Sequence, residues 1–111
     1  MAMGLTTSLW VSAQIRLCDR RMIPAVVVRR GDPDAGTVLV KVNRFAQGVT
    51  VFTQTSTLDG EQGWARGTGA QPVPEPEADA YIARQVGRDP DVWVVEIEDQ
   101  RGEWTPDGTV L

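Results

Sequence analysis

The chain predicts an α+β domain of two layers, with two helices covering one face of a mainly antiparallel four-stranded sheet. Three observations point there. Apolar residues recur at helical spacing over 8–22, four short β-branched runs follow, and a helix opened by proline separates the third run from the fourth. The order is helix, strand, strand, strand, helix, strand, and the 111 residues, 1–111, read as one domain.

The first helix places Val11, Ile15, Cys18 and Met22 on one stripe, with Trp10, Ala13 and Leu17 beside it. Thr6, Thr7 or Ser8 caps its start, Arg20 and Arg21 suit its C-terminal dipole, and Pro24 stops it. Ala25 to Arg30 and Thr37 to Asn43 read as two strands joined by the turn-rich Gly31-Asp32-Pro33-Asp34-Ala35-Gly36, hence as a hairpin. On the second strand Val38, Val40 and Val42 share one face, and Leu39 and Lys41 the other. Arg44 to Gly48 make a tight connection into a third strand, Val49 to Gln54. Residues 58–75, with Gly60, Gly63, Gly67, Gly69, Pro72 and Pro74, lose all periodicity and read as a long irregular loop. Pro76 within Glu75-Pro76-Glu77 opens the second helix, and Asp89-Pro90-Asp91 turns the chain into a fourth strand over Val92 to Glu98. Residues 100–111 read as a tail or one further hairpin arm.

Scarce residues restrict function more than abundant ones. The chain has no histidine, one cysteine (Cys18) and one lysine (Lys41). Without histidine there is no Ser-His-Asp or Cys-His pair, no histidine-ligated zinc and no imidazole base. One cysteine excludes a thiolate zinc site, a CxxC pair and an intrachain disulfide, and in a helix it reads as a small apolar residue. Lys41 follows no glycine-rich phosphate loop, and no Gly-x-Gly-x-x-Gly occurs. No cofactor is implied. What survives is carboxylate and arginine chemistry, or binding.

No window reaches the roughly 18 apolar residues that span a bilayer, and no signal peptide is evident, so the expected setting is cytoplasmic without a membrane partner. The net charge of −4 conceals a split. Residues 1–45 hold seven basic and three acidic side chains, giving +4, and the remainder is −8. The acidic balance argues against nucleic acid, and the two halves can neutralise each other across a sheet.

Two candidate sites follow. Asp32 and Asp34 in a turn, with Glu96 and Glu98 on one strand face and Lys41 nearby, supply the oxygen ligands that Mg²⁺ or Mn²⁺ prefers. That set sketches a metal-dependent hydrolase or nuclease. The same residues also serve as turn formers and as cross-strand partners of Arg29 and Lys41. The second candidate is a binding surface of Trp64 and Arg66 in the glycine-rich loop, with Trp104 in the tail. Trp64 can equally cover the open edge of a small core, and Trp104 can anchor the terminus or dock on a second copy. The favoured expectation is a domain without catalytic activity that binds a protein partner or forms a homo-oligomer, since a meander leaves an edge strand to be paired.

Three blocks carry a resemblance: Arg30 to Asn43 with its Gly-Asp-Pro-Asp-Ala-Gly turn, Glu77-Ala78-Asp79-Ala80-Tyr81-Ile82-Ala83-Arg84, and Asp89-Pro90-Asp91-Val92-Trp93 through Asp99. Together they resemble a small alphaproteobacterial family known as domain of unknown function number 1491, over the stretch from Trp10 through Asp99. The resemblance implies one bacterial domain and carries over no catalytic residue.

Overall fold

A computed structural model describes residues 6–111; residues 1–5 of the expected domain lie outside it. Helix α1 spans Thr7–Arg20 and helix α2 Glu75–Arg88. Six strands, β1 (Ala25–Arg29), β2 (Val38–Asn43), β3 (Val49–Ser56), β4 (Gln62–Arg66), β5 (Trp93–Glu98) and β6 (Thr109–Val110), form one mixed sheet in the order β1-β5-β2-β3-β4-β6.

The local signals hold at both helices. Thr6 Oγ1 accepts the Leu9 N–H at 3.3 Å, and the acidic first turn of α2, Glu75 and Glu77, suits the positive end of its dipole. At the end of α1 the Ile23 N–H donates to the Cys18 carbonyl and the Met22 N–H to that of Asp19. This double closure places Met22 at the position that usually falls to glycine.

The sheet departs from the expected one in four ways. It has six strands, not four. β5 enters between β1 and β2, antiparallel to β1 and parallel to β2, so the first two strands are not a hairpin. The cause lies in burial: β2 is buried at every position and β5 at four of six, which suits the two central strands of a sheet covered on both sides. The helices accordingly take opposite faces. Trp10, Val11 and Cys18 of α1 pack on Val38, Val40, Val42, Trp93, Val95 and Ile97, whereas Ala78, Tyr81 and Ile82 of α2 pack on Leu39, Val49, Val51 and Val94. Finally, the expected loop 58–75 holds β4, which pairs with β3 from Phe52↔Arg66 to Ser56↔Gln62, and the tail ends in β6 alongside β4.

The Gly-Asp-Pro-Asp-Ala-Gly turn packs against the start of β5. The Asp32 carbonyl accepts the Trp93 indole N–H at 2.7 Å, the Asp32 carboxylate accepts the Ala35 N–H at 2.8 Å, and the Arg30 guanidinium lies 5.1 Å from the Trp93 ring centroid. A Cβ on Gly31 would collide with the Asp91 carbonyl, so close backbone approach requires glycine there.

Candidate interaction surface

The residues expected to form an exposed aromatic loop are structural. Trp64 stands in β4 at 0% exposure, a correction to its expected place on a loop. It is held from two sides: its indole N–H donates to the Asp107 carbonyl at 2.7 Å, and its ring lies 5.5 Å from that of Trp10, whose own N–H donates to the Asp107 carboxylate at 3.1 Å. Trp104 is also buried, with its ring 6.1 Å from Phe52. It anchors the terminus. Arg66 alone of the three is exposed, at the end of β4 opposite Phe52.

Asp99 fixes this tail. Its carboxylate accepts the Glu103 and Trp104 N–H groups at 2.9 Å each and the Arg44 Nε–H at 3.2 Å, while the Arg44 Nη2 donates to the Trp104 carbonyl at 2.8 Å. Burial of Asp99 by itself disfavours its charge, but those two backbone donors and Arg44 outweigh it and hold the carboxyl below the ordinary aspartate range.

The carboxylates expected to converge do not form a common site. The Asp32 carboxylate is occupied in the turn by the Ala35 N–H, and Asp34 is held there through its backbone carbonyl, which accepts the Thr7 N–H at 3.3 Å. Glu96 lies on the α2 side of the sheet beside Lys41, and Glu98 is exposed near the end of β5. Among the described residues no group of three or more Asp, Glu, Cys or His side chains is placed to hold a metal ion. The buried Lys41 ammonium instead contacts Glu75 at 2.7 Å, Asp79 at 2.7 Å and Glu96 at 3.6 Å. Burial opposes its charge, but the hydrogen bonds to Asp79 and Glu75 and the charges of Glu96 and Asp79 prevail and raise its pKa above the ordinary lysine value. A lysine so held is a cross-link between β2 and α2, and is not available as a nucleophile. Cys18 is equally removed from chemistry: burial pushes its thiol upward.

The exposed apolar side chains gather elsewhere. Met22 is 85% exposed and Phe45 49%, and both hold left-handed backbone, φ 59° and 55°. Non-glycine residues adopt that conformation at a cost of roughly 1 kcal/mol or more. Both line one groove of about 310 Å³ at the end of the sheet, with Pro24, Glu98 and Arg101. A second groove of about 520 Å³ runs along β1 and shares Ile23, Pro24 and Glu98 with the first. Beside it Val26 and Val28 of β1 are each more than half exposed. Sequence reasoning missed this surface. The available signals were an apolar residue where a helix end favours glycine, and a phenylalanine inside the Arg44–Gly48 turn.

Comparison with known proteins agrees with this architecture. The family described as "Protein of unknown function (DUF1491)" matches residues 5–105. The chain is similar to a DUF1491 family protein from Caulobacter crescentus CB15, both in its crystal structure (40% identity, TM-score 0.85, 96% of this chain and 99% of that one) and in its NMR structure (40% identity, TM-score 0.84, 99% of each). It is also similar to the solution structure of a protein from A. tumefaciens, at 26% identity and TM-score 0.71 over 86% of each chain. No curated protein matches the chain. With the family match covering almost the whole chain and the 40% identical relative sharing its fold from end to end, the protein belongs to the DUF1491 family, proteins of unknown function.

Proposed function

We propose that the protein is a binding module without catalytic activity, and that a protein partner docks where Met22 and Phe45 stand at the end of the sheet. One observation carries this reading: two large apolar side chains occupy left-handed backbone positions and face the same groove, largely open to water. Glycine at either position relieves backbone strain, so the exposed side chains act against the stability of the isolated chain. Strain of this kind belongs with function. Carboxylate chemistry has no comparable support, because Lys41 is spent on three carboxylates and Asp32 on its own turn. A cytoplasmic setting is part of the proposal, in keeping with Cys18 buried as a free thiol and with no described helix long and apolar enough to cross a membrane.

The test exploits the strain. Met22→Gly together with Phe45→Gly removes two side chains whose burial on a partner is worth roughly 1.5–3 kcal/mol each, so recovery of partner by the immobilised protein falls at least about tenfold. The variant keeps a melting temperature near that of the wild type, because relief of strain offsets lost packing. Equal recovery of the same partner by both proteins overturns the proposal.

A further inference from the structure

We infer that the outer edge of β1 pairs with β1 of a second copy of this chain, joining two six-stranded sheets into one continuous sheet. This goes beyond the reading of Met22 and Phe45 and stands on different observations. β1 ends the sheet, and its register with β5 is Ala25↔Ile97, Val26↔Glu96 and Val27↔Val95. The Glu98 N–H donates to the Pro24 carbonyl at 2.9 Å. In an antiparallel ladder bonded pairs alternate, so Pro24 and Val26 bond inward to β5. The N–H and C=O groups of Ala25 and Val27 therefore point away from the sheet. These four groups have the spacing that pairs with themselves about a two-fold axis at Val26: Ala25 of one copy exchanges two hydrogen bonds with Val27 of the other, and the reverse.

Side chains agree with that axis. On the α2 side Val26 meets Val26 of the second copy as a close, non-bonded pair, and Val28 lies beside Pro24, covering the apolar groups that β1 leaves exposed. On the α1 side, Arg16 and Asp19 line the edge groove together with Ile15 and Ala25. They sit one helical turn apart with opposite charge, and among the described residues neither joins an ion pair of its own chain within 4.0 Å, the span of the pairs Arg21–Glu103, Arg44–Asp99 and Arg101–Glu103. A two-fold axis between two antiparallel α1 helices sets Arg16 against Asp19 of the other copy, twice. That is the reciprocity an isologous contact demands. The register shift between Val27 and Arg29 confines pairing to this short segment, so the dimer is a weak one.

Light scattering with the full chain, from about 10 μM to 1 mM at low salt, reads a mass rising toward twice that of one chain, as association in the 0.1 mM range requires. Over the same range, exchange of the Ala25 and Val27 amide protons slows at least fivefold while other edge amides, on β6, do not change. Arg16→Asp sets like charges together and keeps the chain monomeric; Arg16→Asp combined with Asp19→Arg restores the dimer, a rescue that a merely local helix effect does not give. A monomer at every concentration overturns the inference, and so does a dimer indifferent to Arg16→Asp. Partner recovery through Met22 and Phe45 is measured separately on the charge variants, so loss of one property without the other shows which reading fails.

Discussion

Replacing Asp99 by asparagine probes the strongest polar anchor of the fold. The carboxylate is 1% exposed and serves three donors: Oδ2 takes the Trp104 N–H and the Arg44 Nε–H, and Oδ1 takes the Glu103 N–H. Asparagine has one oxygen. Set where Oδ2 was, it keeps the Trp104 and Arg44 bonds without the acceptor's negative charge and turns its NH₂ on the Glu103 N–H; the reverse orientation strands two donors. An unmet buried donor costs about 1–3 kcal/mol, and loss of charge on the Arg44 bond about 1 kcal/mol more, giving about 2–4 kcal/mol in all. Unfolding entropy near 2.1 cal/mol/K per residue makes that a fall of roughly 9–17 °C in melting temperature for a domain of this size. Circular dichroism melts at pH 7 and pH 2 provide the assay. Because the folded pKa of Asp99 lies below its unfolded value, its contribution is complete above about pH 4 and is lost as pH falls through the folded value. The gap between wild type and variant is therefore full at pH 7 and shrinks at pH 2. A loss under about 1 kcal/mol at pH 7, or an equal gap at both pH values, refutes the reasoning.

Lys41→Met leaves three carboxylates without their cation. Glu75 and Asp79 are 48% and 55% exposed and recover water, so the expected loss in urea unfolding at pH 7 is about 1–3 kcal/mol, below that of a fully buried pair. The raised pKa keeps the wild-type advantage intact up to about pH 10.4, the unfolded lysine value, and removes it only as pH climbs toward the folded value. Gly31→Ala drives a methyl into the Asp91 carbonyl and the Trp93 ring, and lowers stability by more than about 2 kcal/mol. Gly87→Ala, on an open face of α2, raises it by about 0.5–1 kcal/mol in the same thermal assay.

The helices and the first three strands were legible because their signals are local. Thr6, Pro24 and Glu75 act within one turn of chain, and the structure starts and stops α1 and α2 within about two residues of the expected bounds. Strand order was not legible, since the place of β5 depends on partners 55 to 72 residues away, from Val38↔Trp93 to Ala25↔Ile97. Its trace in the sequence was the two-sided apolar character of Val38-Leu39-Val40 and Trp93-Val94-Val95, which signals cover on both faces and hence helices on both sides. β4 escaped notice because Gly63 interrupts a run of five, and only pairing to β3 makes it a strand. The acids read as ligands were visible as residues, but which groups they meet is decided by tertiary structure: Glu96 met Lys41, and Asp32 met its own turn. Met22 and Phe45 were marked locally only as apolar residues at a helix end and in a turn; that they share a groove is set by tertiary structure.

The position of β5 has a consequence for how the chain is made. The strand that joins β1 to β2 is the next to last element in the chain, so a nascent chain that has emerged as far as α2 holds the halves of its sheet with both inner edges unsatisfied. Such edges recruit strands from other chains. Folding must therefore wait for residues 93–98, and the long loops closed at that moment place this domain among the slower folders of its size. A chain stopped after Arg88 lacks the centre of its own sheet, and its fate is aggregation or proteolysis, not a smaller native domain.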